Sequence, residues 1–302
     1  MNIIETLRKQ VIEDLFSIKS VSSNWDIWSQ NLRDKMSSPV NSQSILDIGD
    51  WLSETFQKTG SSGRDQGELS GGGTAWESLV TWYVNLCSVG SRVLAVKKTG
   101  TLPSPIRDSI TVNYSSFSCT SESDITVIVF PDDPIFTEDN PVFYKKSGKI
   151  DTDKLNEVVG NEFHKFEVGI IQCKTNWNDN SQIPMLWDMI YSSGGFRGRQ
   201  ITVGKNNFSI QHLGVFTYSF VTVPTNKLST YKQNSVTVGR VKNLSGGNYW
   251  GRPTSNGISK SLKEIFQNYQ SGYEHGNIRN TLTKSIPQLN TEYKYFRLFD
   301  LS

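Results

Sequence analysis

The 302-residue chain lacks the features that mark membrane-spanning or disulfide-stabilised proteins. Its apolar run at 125–130 is interrupted by Thr126, whereas a membrane-spanning helix needs about 20 predominantly apolar residues. The three cysteines, Cys87, Cys119 and Cys173, form no CxxC pair, so neither a disulfide framework nor a zinc ribbon is expected. The charged N-terminal stretch MNIIETLRKQ has no apolar signal-peptide segment. These absences predict a cytoplasmic protein without a membrane segment.

Negative charge is missing from one long segment of the chain. No Asp or Glu occurs between Asp188 and Glu264, although the chain has 29 acidic residues in all. The same segment carries ten basic residues: Arg197, Arg199, Lys205, Lys227, Lys232, Arg240, Lys242, Arg252, Lys260 and Lys263. Such asymmetry is typical of proteins that bind a polyanion, most often nucleic acid. A merely basic surface rich in Asn and Ser is the alternative.

The spacing of apolar residues predicts an α/β protein. Apolar side chains such as Ile4, Leu7 and Val11 recur at helical spacing, and the segment 75–87 is apolar on every side, as buried helices are. Helices are expected at residues 3–18, 45–56, 75–87, 183–191, 258–269 and 278–286. Strands are expected at residues 91–96, 109–114, 124–130, 167–174, 200–210 and 213–223.

Three segments rich in turn-forming residues are predicted to be irregular. Glycine and serine crowd residues 57–74, and Thr74 is expected to be the N-cap of the helix that follows. The other two are the charged segment 131–165 and the Asn/Gly-rich basic segment 243–256. Because no internal repeat or clear linker divides the chain, a single domain is expected.

Four polar residues stand where a purely structural core would not favour them. Asp124 opens an apolar strand, and Gln172 and Lys174 project from one face of a later strand because they are two residues apart. Glu77 lies on the apolar helix. Buried charges are costly unless they are paired or bind a cation. An acid, an amide oxygen and a lysine at two strand ends suit a divalent cation and the negative charge that develops in phosphodiester hydrolysis.

The order of these residues resembles that of the PD-(D/E)XK nuclease superfamily, and of type II restriction endonucleases in particular. The resemblance covers roughly residues 74–224: a helix with Glu77, a strand opening at Asp124, and a strand closing on Gln172 and Lys174. It implies a central mixed sheet flanked by helices, with additions at both chain ends. It also implies a homodimer that hydrolyses double-stranded DNA at a defined sequence with Mg²⁺.

The resemblance assigns a role to each of these residues. Asp124 and Gln172 correspond to metal ligands, Lys174 to the catalytic lysine, and Glu77 to an additional metal ligand or water-holding acid. Ser123 replaces the proline of the family's motif, a position that makes no ligand. Gln172 replaces the usual acidic residue and so removes one negative charge from the expected metal site.

Several alternatives remain open from the sequence alone. Glu77, Glu122 or Glu167 could supply the charge that the glutamine lacks. Lys174 could instead leave its strand into solvent, and Asp124 could be a turn residue at the start of its strand. Glu77 could serve only in a capping box at the start of its helix.

The acid-free segment supplies candidates for DNA contact. Arginine pairs with guanine edges and asparagine with adenine edges, whereas most lysines contact only phosphate. The candidates are Arg197, Arg199, Lys205, Arg240, Lys242, Asn248 and Arg252. The expected organisation is a catalytic core at about 74–224, a DNA-contacting region at about 195–263 and a helical tail at about 257–302. The alternative function is non-catalytic, sequence-specific DNA binding through the basic segment.

Overall fold

A computed structural model describes residues 1–58, 66–114, 116–120, 123–175, 201–223, 232–235, 238–239, 242 and 246–299, with backbone alone at 66–71. The helices are α1 (Ile3–Phe16), α2 (Lys19–Ser22), α3 (Trp25–Lys35), α4 (Ser42–Gln57), α5 (Gln66–Cys87), α6 (Ser104–Ser109), α7 (Pro134–Thr137), α8 (Thr152–Asn161) and α9 (Ile278–Ser285). The strands are β1 (Val93–Val96), β2 (Thr111–Tyr114), β3 (Phe117–Thr120), β4 (Ile125–Val129), β5 (Glu167–Lys174), β6 (Ile201–Val203), β7 (Val215–Thr222), β8 (Asn248–Trp250) and β9 (Lys260–Ser261).

The central sheet has six strands in the order β1-β4-β5-β7-β8-β9. Strands β1, β4 and β5 are antiparallel neighbours, whereas β5, β7, β8 and β9 run parallel. A second, antiparallel sheet has the order β3-β2-β6. This mixed sheet with flanking helices confirms the predicted α/β class. None of the described helices is both long and apolar enough to span a bilayer.

Both faces of the central sheet are covered, which explains why β4 and β5 are almost continuously apolar. Ile125 and Val127 point to one face, where they pack in a core with the apolar residues of α5. Ile128 points to the other face and packs with Leu155 of α8. Side chains in a strand alternate between faces, so every residue of these strands contributes to one core or the other.

Helix α1 covers the edge of the sheet beside β1. Its Ile4 belongs to one core and its Ile12 to the other. Between them, the fully buried Arg8 donates to the Val93 carbonyl at 2.7 Å and, through Nε, to the Glu5 carboxylate at 3.0 Å. Because β1 is at the edge of the sheet, its Val93 carbonyl would otherwise have no hydrogen-bond partner. The buried Arg8 guanidinium supplies that partner.

The predicted loop at 57–74 is wrong from Gln66 onward, because α5 already begins there. Thr74 lies inside the helix and is not its N-cap: its carbonyl accepts a hydrogen bond from the Ser78 hydroxyl at 2.7 Å. Each glycine lowers helix stability by about 1 kcal/mol relative to alanine but does not break the hydrogen-bond ladder. The buried apolar face that begins at Trp76 stabilises the helix as a whole.

Other predicted boundaries also differ. The segment 131–165 contains α8, which begins at the N-cap Asp151, and the segment 243–256 contains β8. The strand predicted at 200–210 is limited to β6, because Gly204 turns the chain with a φ of 109°. The helix predicted at 183–191 lies outside the described residues.

The C-terminal helical predictions hold in part. The segment predicted at 258–269 forms a 3₁₀ segment, Leu262–Gly272, that is interrupted at Tyr269. The helix predicted at 278–286 is α9, which begins at the N-cap Asn277. The predicted helices at 3–18 and 45–56 correspond to α1 and α4, and the predicted strand at 167–174 is β5.

Candidate active site

The antiparallel pairing of β4 with β5 brings Asp124 opposite Gln172. Ile125 pairs with Ile171, so Asp124, one residue earlier, lies beside Gln172, one residue later. Gln172 Nε2 donates to Asp124 Oδ2 at 2.5 Å, and the Cys173 backbone N–H donates to the same oxygen at 2.7 Å. Asp124 is therefore held by the end of β5 rather than by a local turn.

Lys174 completes the group at this end of the sheet. Its Nζ lies 4.0 Å from Asp124 Oδ2, and its side chain is 23% exposed. The distance is too long for a hydrogen bond, so Lys174 and Asp124 attract each other by charge alone. The lysine does not extend freely into solvent, and it shares a strand face with Gln172.

Glu77 and Lys97 form an ion pair near this group. Glu77 Oε2 on α5 lies 2.8 Å from Lys97 Nζ, and the two side chains are 20% and 15% exposed. Lys97 directly follows β1. Because α5 already begins at Gln66, Glu77 is not a capping-box residue of the first turn. Its carboxylate is instead a partly buried charge with a cationic partner.

The electrostatics of the group are set by Asp124. Burial and the negative charge of Glu77 raise its pKa to about 6. The hydrogen bond from the Cys173 N–H and the positive charges of Lys174 and Lys97 oppose that shift without cancelling it. At neutral pH the Asp124 carboxylate is thus an incompletely compensated negative charge, which a bound cation stabilises.

The donor atoms suit a hard cation in type but are not arranged around one. Carboxylate and amide oxygens are the ligands that Mg²⁺ prefers. However, Gln172 turns its amide nitrogen toward Asp124, and Glu77 is engaged by Lys97. Among the described residues there is no cluster of three or more His, Cys, Asp or Glu that could hold a metal ion. For Gln172 and Glu77 to act as metal ligands beside Asp124, the Gln172 amide has to rotate and the ion pair of Glu77 has to rearrange.

The two other acids considered as replacement ligands differ in outcome. Glu167 begins β5, five residues before Gln172, and strand geometry separates the two by about 16 Å. Glu167 therefore cannot take the place of Gln172 unless β5 unfolds, and the structure excludes this alternative. Glu122 lies outside the described residues.

The candidate DNA-contacting residues are only partly described. Arg197, Arg199 and Arg240 lie outside the described residues. Lys205 is exposed on the turn that follows β6.

The remaining three candidates lie near β8. The Arg252 guanidinium lies 6.0 Å from the centre of the Trp250 ring. Lys242 is exposed, and it lines the same cavity as Asn248. Asn248 itself is buried in β8, at 5% exposure, and not in an exposed loop as predicted. A buried amide cannot read the edge of a stacked base from the surface.

Sequence reasoning missed Lys97. Lys97 is distant in the sequence from both Asp124 and Gln172, so no local spacing relates the three residues. The only signal is its position directly after the apolar stretch VLAV, where the register of β1 against β4 brings it alongside Ile125. Which strands are neighbours is a tertiary property, and without it the lysine resembles any charged residue at a strand end.

Comparison with known proteins adds no identification. No protein-family model matches the chain, and no curated protein sequence matches it. Function is therefore inferred from the side chains at this end of the sheet and from the charge distribution of the chain.

Proposed function

We propose that this protein is a Mg²⁺-dependent endonuclease that hydrolyses double-stranded DNA at a defined sequence. The observation that carries the proposal is the convergence of Asp124, Gln172 and Lys174 at one end of the central sheet. The raised pKa of Asp124 supports it, because an incompletely compensated carboxylate favours a cation nearby. The acid-free basic segment supports a polyanionic substrate.

Each side chain has a distinct role in this proposal. Asp124 and the carbonyl oxygen of a rotated Gln172 would hold Mg²⁺, and Glu77 would add a carboxylate on leaving Lys97. The chemistry that the ion would supply there is polarisation of the phosphate and a water of lowered pKa. The Lys174 ammonium stabilises the negative charge that develops on the phosphate oxygens.

The substrate and assembly follow from the same proposal. Arg197, Arg199, Lys205, Arg240, Lys242 and Arg252 are the proposed DNA-contacting residues. One site of this kind cuts one strand, so two copies of the chain related by a two-fold axis match the two strands of a symmetric duplex site. We therefore propose a homodimer on DNA.

Plasmid cleavage tests the proposal directly. We expect discrete DNA fragments when Mg²⁺ is added and none when it is chelated. Lys174→Ala should abolish cleavage and leave DNA affinity within a few-fold, because the lysine acts mainly on charge that develops in the transition state. Lys146→Ala is the matched control, since Lys146 is exposed and lies outside α5, β4 and β5, the elements that carry the site. Full activity of Lys174→Ala would contradict the assignment.

The alternative function is sequence-specific DNA binding without catalysis. It is favoured by the ion pair between Glu77 and Lys97, because a carboxylate engaged by a lysine is less available to a metal ion. Among the described residues of the site, Asp124 is then the one carboxylate that has no cation within hydrogen-bonding distance. In that case the same plasmid is retarded in a gel but stays intact at every Mg²⁺ concentration.

A further inference from the structure

A single contact joins Glu77 to Lys97. The ammonium lies 2.8 Å from the carboxylate, and no other described residue forms a hydrogen bond or an ion pair with either charged group. The buried pair of Arg8 and Glu5 is held differently. The Glu5 carboxylate also accepts from the Gly90 N–H at 2.9 Å, and the Arg8 guanidinium also donates to two backbone carbonyls. Because the ion pair at Glu77 has no such network, its partners can be exchanged at a lower energetic cost.

Both members of this ion pair lie within electrostatic reach of Asp124. Burial and the negative charge of Glu77 raise the pKa of Asp124, whereas the positive charge of Lys97 opposes that rise. Lys97 directly follows β1 and lies alongside Ile125, the residue after Asp124. With Lys174 included, the site therefore has two carboxylates and two ammonium groups, and these charges balance.

The balance of charge links a metal ion to a phosphate. A divalent cation adds two positive charges to the balanced group, and each phosphodiester group that binds removes one of them. A cation alone thus leaves an excess of positive charge in a partly buried site, which is unfavourable. The excess is smaller when a phosphate enters with the cation, and a lysine released from its carboxylate is available to contact that phosphate.

We propose that the Lys97 ammonium occupies the cation position at Glu77 in the metal-free protein and contacts a DNA phosphate when a divalent cation takes that position. This exchange at Glu77 rests on the proposed function for its metal and its substrate. The Lys97 side chain is 15% exposed, so its ammonium can turn toward solvent by side-chain rotation. A lysine suits the exchange because it carries a compact charge on a flexible stem. Lys97 is then a substrate-binding residue in addition to Lys174.

Calorimetric titration with Mg²⁺ in the absence of DNA tests the metal half of the exchange. Lys97→Met should bind Mg²⁺ about three- to tenfold more tightly than wild type, because the cation no longer displaces an ammonium. In a Glu77→Gln background the same substitution should leave Mg²⁺ affinity within about twofold, since no carboxylate is released. Lys98→Met is the matched control. Lys98 is exposed and adjacent, so its replacement removes the same charge without freeing Glu77, and Mg²⁺ affinity should stay within about twofold of wild type.

Binding of a duplex oligonucleotide of mixed sequence tests the phosphate half, with Ca²⁺ as the cation or with a chelator. In Ca²⁺, Lys97→Met should bind the duplex about three- to tenfold more weakly than wild type, because one phosphate contact is lost. With the chelator the two proteins should agree within about twofold, since Lys97 is then held by Glu77. A phosphate contact that does not depend on the exchange weakens binding in both conditions alike.

The outcomes separate this proposal from the proposed nuclease activity. Absence of Mg²⁺ binding, equal Mg²⁺ affinity of wild type and Lys97→Met, or equal tightening in both backgrounds overturns the exchange even if the protein cleaves DNA. A loss of duplex affinity that is the same with Ca²⁺ and with the chelator, or no loss in either, also overturns it. If both halves behave as expected and no DNA is cleaved, the exchange is supported and the nuclease activity alone fails.

A folding defect does not leave the proposal untested. Thermal melting identifies a Lys97→Met protein that has failed to fold, and Lys97→Gln then takes its place in both titrations. Glutamine keeps a polar group beside Glu77 but carries no charge, so the same changes in Mg²⁺ affinity and in duplex affinity are expected.

Discussion

Replacing Asp124 by asparagine should stabilise the metal-free protein at neutral pH. Asp124 has its pKa raised from 3.8 to about 6, so the folded protein holds a proton that the unfolded chain has already released between these pH values. The contribution of Asp124 to the free energy of unfolding is therefore present at low pH and is lost as the pH rises through 6. At pH 7 the charged form costs the folded state up to about 3 kcal/mol.

Asparagine removes this cost while preserving the shape of the side chain. Its carbonyl oxygen can still accept from the Cys173 N–H, as Asp124 Oδ2 does. We therefore expect Asp124→Asn to raise the free energy of unfolding at pH 7 by about 1–3 kcal/mol. The gain should shrink as the pH falls from 6 to 4, because wild-type Asp124 is then neutral too.

Urea unfolding of both proteins at several pH values, in the presence of a chelator, measures the difference. Other titrating groups are common to both chains and cancel in the comparison. Asp34→Asn is the control, because Asp34 is exposed and its replacement should change stability by less than about 0.5 kcal/mol. A variant that is less stable than wild type at pH 7, with a difference independent of pH, would refute the proposed electrostatics of Asp124.

Two further substitutions test the surroundings of the site. Lys97→Met should destabilise the metal-free protein by about 1–3 kcal/mol, because it leaves the partly buried Glu77 carboxylate without its partner; breaking a fully buried pair costs more. Lys97→Arg should restore most of this stability. Equal stability of all three proteins in urea would exclude an energetic role for the pair. Arg8→Met should cost about 3–5 kcal/mol, because the Glu5 carboxylate is then buried without a cation. A thermal melt within 1–2 °C of wild type would show that the cation beside β1 is dispensable.

The sequence alone predicted β4 and β5, because strands that are buried on both faces consist almost entirely of apolar residues. Strand β5 has the predicted boundaries, and two-residue alternation correctly placed Gln172 and Lys174 on one face. That Asp124 lies beside Gln172 was expected from the chemistry of these side chains and from the family resemblance, not from local spacing. Strand register depends on contacts between distant segments, and so it is not contained in local spacing.

The errors have physical reasons of their own. Glycine-rich sequence at 66–74 indicated a loop, but the packing of an apolar helix face outweighs the modest penalty of each glycine. Asn248 lies in a segment rich in Asn and Gly that is typical of loops, yet it forms a buried strand beside β7. In both segments, tertiary packing overrides the local composition.

The amide at Gln172 provides the sharpest test of the metal site. Gln172→Glu places a second carboxylate against Asp124, where the present amide donates a hydrogen bond. Two such charges about 4 Å apart repel by roughly 4 kcal/mol at an effective dielectric constant of 20. The metal-free variant should therefore be less stable than wild type at pH 7, and Mg²⁺ should restore it.

Thermal melting with and without Mg²⁺ measures this effect without relying on cleavage. Mg²⁺ should raise the melting temperature of Gln172→Glu by several degrees more than that of wild type, because a ligand that binds only the folded state stabilises it. Gln211→Glu adds the same charge at an exposed position and should respond as wild type does. Gln172→Ala should show the smallest response, since it lacks a ligand oxygen. A cation held between residues 124 and 172 is sensitive to the side chain at position 172. If Mg²⁺ raises the melting temperatures of wild type and all three variants equally, no cation is bound there.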